Sequence, residues 1–180
     1  SQPDPWPAIV EDARLYPSPH NSQPVKLRPG GPRTAELFYD LDLGLPAESF
    51  GIPFAHVCAG VFLETLRVVA LAAGFEVEET LDHAEMDFEG EDRLHRFARV
   101  ALVPTELDPE QRLEARIALE RIRTRRTSRR PYRSASVPAE AIAAAERICA
   151  DAGYEFRHTE DRALVRRIVH VNQATLFDDL

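Results

Sequence analysis

The stretch Ser18–Pro24 concentrates side chains that can hydrogen-bond a flat polar molecule. The amides of Asn21 and Gln23 each carry donors and an acceptor, so together they can pair with the polar edge of a heterocycle. The same residue types also form ordinary turns, and a simple loop is therefore the alternative interpretation.

A second stretch is rich in arginine. Seven arginines and no acidic residue lie between positions 121 and 133, and Thr127 lies among them. Planar guanidinium groups and a hydroxyl in one short span are the groups that bind a phosphate monoester. The stretch lacks the glycine-rich loop and lysine of a nucleoside-triphosphate site. The alternative interpretation is a solvated, arginine-rich helix end and loop.

Together the two stretches resemble the two signatures of the FMN-dependent nitroreductase superfamily. The first signature has the form Pro-Ser-x-x-Asn-x-Gln-Pro-Trp, with Val25 in place of the tryptophan, and the second has the form Arg-Arg-Ser-x-Arg. The resemblance implies FMN as the cofactor, with its phosphate held by the arginine motif and its isoalloxazine ring beside the Asn-Gln motif. The implied cofactor-binding residues are Asn21, Gln23, Arg125, Arg126, Thr127 and Arg129.

The order of the two motifs indicates which group within the superfamily the chain resembles. In ordinary nitroreductases the arginine motif comes first, whereas here it follows the Asn-Gln motif much later in the chain. The chain shares this inversion with the Acg-type group, whose members look like two nitroreductase lobes fused in one chain. The resemblance implies a first lobe at residues 1–124 and the start of a second, incomplete lobe at 125–180.

The activity implied by the resemblance is electron transfer through a bound flavin. FMN would take hydride from NAD(P)H and pass electrons to a small nitroaromatic or quinone-like acceptor. Because the flavin carries this chemistry, no catalytic side chain is predicted. Two alternatives are a non-catalytic protein that stores or covers FMN, and an anion-binding or structural module without flavin.

Composition and residue spacing argue against several other classes of protein. The formal net charge of −8 argues against general nucleic-acid binding. The two cysteines lie far apart in apolar patterns, which predicts no disulfide framework and a cytoplasmic location. The six histidines show no metal-ligand spacing, so no metal site is predicted. The apolar segment 54–71 contains Glu64 and Arg67, which favours a buried helix over a membrane span.

Hydrophobic periodicity and turn residues predict the elements that position the motifs. The predicted elements of the first part are a helix over 7–16, a hairpin of strands 25–28 and 35–39, a long buried helix over 53–73, strands 75–80 and 95–103, and a helix over 109–123. A helix over 137–152 capped by Ser136, a strand over 154–158, and a helix capped by Thr159 and ending at Phe177 follow. This pattern is α+β, and the resemblance implies a nitroreductase-like fold in which a mixed or antiparallel sheet is flanked by helices, one of them long and central.

Two expectations concern packing. The resemblance implies that the long helix packs across a pseudo-twofold between lobes or subunits, so we expect Ala59 and Gly60 to lie at a close helix contact, which Gly60→Leu would overpack. The final helix is amphipathic and no strand follows it, so we expect that Leu180 is not the natural end of the fold. The chain would then bury this helix against a missing half, as a two-lobe pseudo-dimer, or in a homodimer.

Overall fold

The structure is a computed structural model that describes residues 4–44, 54–128 and 135–177. The chain divides into two compact units, Ser1–Thr127 and Ser128–Leu180. The assignment of nitroreductase-like lobes to 1–124 and 125–180 stays a prediction.

A four-stranded antiparallel sheet forms the centre of the first unit. Its strands lie in the spatial order β1 (Val25–Gly31), β2 (Thr34–Asp40), β4 (Leu94–Pro104) and β3 (Phe75–Leu81). β1 and β2 form the predicted hairpin. Every neighbouring pair of strands is antiparallel, so the sheet is antiparallel and not mixed.

A β-bulge determines which side chains of β4 face the core. Leu37 pairs with Ala98, but the next residue of β2 pairs with Arg96, so Phe97 is the extra residue in β4. Phe97 and Ala98 are therefore both buried although they are adjacent. The bulge thus adds a large aromatic side chain to the inward face of the sheet.

A long helix, α2 (Phe54–Ala72), packs against β3 and against two further helices, α1 (Trp6–Ala13) and α3 (Pro109–Thr124). Its buried side chains share one hydrophobic core with α1, β2 and β4. Among the described residues, α2 is long and apolar enough to cross a membrane, and half of its most apolar stretch is buried inside the protein. The structure confirms the α+β fold with a long, central, buried helix.

Two helix ends of the first unit have clear local causes, whereas α1 ends at Ala13, three residues before the predicted end at Tyr16. The Asp108 carboxylate accepts the backbone N–H groups of Glu110 and Gln111, and the Gln111 side chain accepts the N–H of Asp108. This capping box begins α3. Gly74 follows α2 with a φ of +85°, a left-handed conformation that glycine adopts at little cost.

The second unit contains α4 (Ala139–Asp151) and α5 (Arg162–Phe177). The predicted cap of α4 at Ser136 is wrong: α4 begins after Pro138 without a side-chain cap. The Ser136 hydroxyl instead hydrogen-bonds the Glu160 carboxylate at 3.1 Å. The helix therefore begins two residues later than predicted.

The start of α5 also differs from the prediction. Asp161, and not Thr159, caps this helix, because its carboxylate accepts the N–H groups of Ala163 and Leu164. The Thr159 hydroxyl instead accepts the N–H of Asp161, directly before the helix begins. At both helix starts the predicted capping side chain bonds a group outside the first turn, Glu160 for Ser136 and the N–H of Asp161 for Thr159.

The predicted strand over 154–158 is also wrong. These residues form no strand, and no other part of residues 135–177 forms one with which they could pair. The Arg157 side chain instead folds back onto the Glu155 carboxylate through two hydrogen bonds. A strand needs a partner because a single extended segment leaves its backbone groups unpaired.

Gly60 lies at no close contact within the first unit, and its predicted contact between lobes or subunits stays a prediction. It is on the exposed side of α2, and no heavy atom of the described residues lies within 4 Å of a Cβ built there. The adjacent Ala59 is buried. Adjacent helix residues face different directions because an α-helix has about 3.6 residues per turn.

Substitutions on the two sides of α2 should therefore have opposite effects on stability. Gly60→Ala should raise the free energy of unfolding by about 1 kcal/mol, because alanine favours the helix over glycine and meets no neighbour. Leu66→Ala should lower it by about 2–5 kcal/mol, because Leu66 is fully buried. Urea unfolding measures both changes, and a loss of stability in Gly60→Ala would contradict an exposed Gly60.

Candidate functional site

The loop between α1 and β1 carries the Asn-Gln motif in an unusual backbone conformation. The φ angles of His20, Asn21 and Gln23 are 49°, 57° and 54°. Non-glycine residues rarely adopt positive φ, and each such residue costs on the order of 1–3 kcal/mol. Contacts around the loop must therefore hold it in this conformation.

Hydrogen bonds within the loop orient the two amides. The Ser18 hydroxyl oxygen accepts the backbone N–H of Gln23 at 3.1 Å and lies 3.5 Å from the Gln23 side-chain nitrogen Nε2. Gln23 Nε2 also donates to Asn21 Oδ1 at 3.0 Å. Within the described residues these bonds leave the Asn21 NH2 group and Gln23 Oε1 available to another molecule. The loop thus presents a donor and an acceptor side by side.

Tyr16 connects this loop to the core. Its side chain is 2% exposed, and its ring packs edge-on against Phe62 of α2 with a centroid separation of 5.1 Å. The Tyr16 hydroxyl oxygen accepts the N–H of Val25, the first residue of β1, at 3.2 Å. The buried Tyr16 side chain therefore joins the end of the loop at Val25 to the central helix.

Cys58 is not available as a nucleophile. It is buried, and burial raises the pKa of its thiol. The hydrogen bonds from Tyr39 and Tyr16 lower that pKa by a smaller amount. Because only the thiolate reacts readily, Cys58 serves the packing of the core.

The described part of the arginine motif forms a compact segment after α3. Arg125 donates from Nη1 to the Thr127 hydroxyl at 3.1 Å. Arg126 donates to the backbone carbonyls of Arg123 and Arg125. Arg129 lies outside the described residues. The pairing of Arg125 with Thr127 places a guanidinium and a hydroxyl together, as phosphate binding requires.

Arg123 has a structural role that the sequence did not reveal. Its guanidinium donates to both carboxylate oxygens of Asp12, at 2.8 and 2.9 Å, and also to Glu120. The bond to Asp12, followed by that to Glu120, raises the pKa of Arg123. Because Asp12 lies in α1, Arg123 links α3 to α1. Fewer arginines are therefore available to an anion than the sequence suggested.

Arg125 lines a cavity of about 260 Å³ in the first unit. The other lining residues come from the segment before the Asn-Gln loop, from α2 and from α3: Leu15, Tyr16, Pro17, Val61, Glu64, Thr65 and Ile122. The arginine motif therefore starts beside the chain segment that leads into the Asn-Gln loop. The hydrogen bonds of Asn21 and Gln23 stay within their own loop, and neither residue lines this cavity.

The available groups fit the two ends of FMN. The isoalloxazine edge carries N–H and C=O groups, which complement the Gln23 carbonyl and the Asn21 NH2 group. The Ser22 hydroxyl oxygen is buried without a hydrogen-bond partner among the described residues, so the loop has a polar atom that a ligand could satisfy. Arg125 and Thr127 match a phosphate. The cavity itself is smaller than the roughly 300–1,000 Å³ typical of ligand pockets, so it can enclose only part of FMN.

Comparisons with known proteins show only partial similarity. No protein-family model matches the chain, and no curated protein matches it. A nitroreductase family protein from Streptococcus pneumoniae TIGR4 is 20% identical, with 61% of this chain and 84% of that chain covered and a TM-score of 0.41. A protein from Staphylococcus epidermidis ATCC 12228, described as a candidate NAD(P)H:FMN oxidoreductase, is 14% identical, with coverages of 57% and 76% and a TM-score of 0.42. At these values the similarity assigns no activity to this chain.

Sequence analysis singled out Asn21 and Gln23 but missed the residues that hold them. Tyr16 was predicted only as the end of a helix, and Ser18 only as part of a polar loop. The sequence carried no signal for these two roles, because the hydrogen-bond partners depend on how the loop folds.

Tyr16 should make the folded state sensitive to alkali. Burial raises the pKa of Tyr16 to about 12, whereas a tyrosine in the unfolded chain has a pKa of about 10. The stability that this group contributes is present below about pH 10 and is lost as the pH rises through about 12. Urea unfolding across this range should show a steeper loss in the parent than in Tyr16→Phe. Parallel pH profiles would contradict a buried, neutral Tyr16.

Proposed function

We propose that this chain is an FMN-binding flavoprotein of the nitroreductase type, of the Acg-type group, that passes electrons from NAD(P)H to a small nitroaromatic or quinone-like acceptor. The observation that carries the proposal is the left-handed loop with its paired amides at Asn21 and Gln23. An ordinary turn does not need three left-handed non-glycine residues within four positions. A loop that must present a hydrogen-bonding edge to a ligand accounts for this strain.

The proposed roles divide between the two motifs. Asn21 and Gln23 would hydrogen-bond the isoalloxazine ring, and Arg125, Thr127 and Arg129 would hold the phosphate. Arg126 donates to backbone carbonyls, so we assign to it a contribution of positive charge and not a direct contact. FMN, when bound, supplies the hydride and electron transfer. The chain binds and orients it.

The small cavity supports the part of the proposal that concerns assembly. A space of about 260 Å³ can enclose only part of FMN. We propose that a second copy of the chain, in a homodimer, or a second lobe supplies the remaining walls. Light scattering of the protein with and without FMN would measure the assembly, and full-affinity binding to a monomer would contradict this part of the proposal.

Removing the arginines should weaken FMN binding through the phosphate alone. Each lost charge-assisted contact in Arg125→Ala or Arg129→Ala should cost roughly 1.5–3 kcal/mol, about ten- to a hundredfold in affinity. The double variant should purify without flavin colour. Quenching of flavin fluorescence gives the dissociation constants, and equal affinity in the parent and the double variant would contradict the phosphate role.

Two controls separate this effect from a general change of charge. Arg116→Ala removes an exposed arginine of α3 outside the motif and should leave FMN affinity unchanged. Riboflavin lacks the phosphate, so it should bind the parent poorly and respond little to Arg125→Ala. Asn21→Ala should weaken FMN less than Arg125→Ala does and should shift the flavin absorbance spectrum, because it removes a contact to the ring.

Reduction by a nicotinamide separates an enzyme from a storage protein. Anaerobic mixing of the FMN-loaded protein with NADH or NADPH should bleach the yellow flavin absorbance, and a nitroaromatic or quinone acceptor should restore it. Persistent colour with both nicotinamides, while FMN stays bound, would favour the alternative of a non-catalytic FMN-binding protein.

A further inference from the structure

The strand β3 lies at one edge of the sheet, and within the described residues no strand pairs with its outer side. We propose that this edge binds an extended, basic segment of another protein, which adds to the sheet as a further strand. The inference concerns a surface outside the candidate flavin site, so it does not depend on FMN binding.

The pairing of β3 with β4 determines which backbone groups of β3 are free. The Gly74 carbonyl accepts the N–H of Thr105 at 3.0 Å, and the N–H of Asp82 donates to the Phe97 carbonyl at 2.8 Å. The register between these two bonds is uninterrupted, and hydrogen-bonded positions alternate along antiparallel strands. Even-numbered residues of β3 therefore bond to β4. The odd-numbered residues direct their N–H and C=O groups to the free edge: Phe75, Val77, Glu79 and Leu81.

The opposite edge of the sheet, at β1, is less suited to a further strand. By the same alternation, Val25, Leu27 and Pro29 direct their backbone groups to that edge. The Tyr16 hydroxyl already accepts the N–H of Val25, and Pro29 has no N–H. In the described part of the chain, β3 is therefore the edge with a regular series of donors and acceptors for another strand.

The side chains of β3 select the chemistry of the added strand. Glu76 and Glu78 are exposed on the outer face, and neither forms an ion pair with the described residues. Phe75 and Val77 lie half-buried on the other face and pack against the core. A neighbouring strand places its side chains opposite these two sets in turn. The matching segment therefore carries lysine or arginine at alternate positions, with apolar residues between them.

The charge of the surface favours a basic partner over a second copy of this chain. The segment 75–92 contains nine acidic residues and no lysine or arginine. If two copies paired through β3, Glu76 and Glu78 of both copies would come close together, and like charges on paired strands destabilise a sheet. Acidic side chains thus protect the edge from self-association while leaving it open to a segment of opposite charge.

Amide hydrogen exchange with a synthetic peptide tests the proposal. The probe is a capped peptide of alternating lysine and valine that matches the seven residues of β3. In the protein alone, Val77 and Glu79 should exchange faster than Glu76 and Glu78, because only the latter pair bonds to β4. At a peptide concentration about ten times the dissociation constant, exchange at Val77 and Glu79 should slow by about tenfold. The same peptide with proline at its centre keeps its charge but should not slow them, because proline interrupts the pairing.

Charge reversal on the strand separates pairing from general attraction. Glu76→Lys with Glu78→Lys should weaken binding of the lysine-valine peptide at least about fivefold, because two opposite-charge pairs become like-charge pairs. A peptide of alternating glutamate and valine should bind this variant and not the parent. Glu89→Lys with Glu91→Lys is the matched control, since it makes the same change of net charge at exposed acids outside the sheet. It should change the affinity by about twofold or less at physiological ionic strength.

The other outcomes would overturn the proposal. Slow exchange at Val77 and Glu79 in the protein alone would mean that the edge is already covered, and slowing with rising protein concentration would identify a second copy as its occupant. Equal binding of the lysine-valine peptide and its proline-containing form would indicate attraction of positive charge without strand pairing. Equal effects of the two double variants would lead to the same conclusion.

Discussion

The burial of α2 against the inward face of the sheet is the interaction on which the candidate site depends. The buried side of this helix places Phe62 against the Tyr16 ring, and the Tyr16 hydroxyl accepts the N–H of Val25 at the end of the Asn-Gln loop. The bulge in β4 contributes to the same core by turning Phe97 inward. Three left-handed residues make the isolated loop unfavourable. The loop therefore keeps this conformation because it packs on the core.

The arginine-rich segment shows how one sequence pattern can serve two purposes. Arg123 binds Asp12 and joins two helices, while Arg125, two residues later, lines the cavity and pairs with Thr127. The helix ends between them, which explains the difference: Arg123 still projects from α3 toward α1, whereas Arg125 has left the helix. The sequence allowed two interpretations of this segment, a helix end and a ligand site. Arg123 fits the first interpretation, and Arg125 fits the second.

Elements with strong local signals were predictable. The hairpin around its glycine- and proline-rich turn, the Asp108 cap and the end of α2 at Gly74 each depend on conformational preferences of neighbouring residues. The long apolar pattern of α2 likewise predicted burial, because a helix that is apolar on most sides has nowhere else to lie in water. The residue types of the candidate site, two amides and a group of arginines, were also evident from the sequence.

The tertiary structure decided the features that depend on residues far apart in the sequence, namely strand pairing, helix packing and long-range hydrogen bonds. The segment 154–158 had the composition of a strand, but the described residues 135–177 contain no strand with which it could pair. Gly60 lies on the exposed side of α2 in the first unit, whereas the adjacent Ala59 is buried. Tyr16 and Arg123 gained their roles from contacts with residues far away in the sequence, which no local pattern encodes. The sequence alone determined which residues could do the chemistry and where most helices and strands lie, because these follow from side-chain type and local preference. The tertiary structure alone decided which hydroxyl orients the amides and which arginine remains available, because hydrogen-bond partners are set by proximity in space.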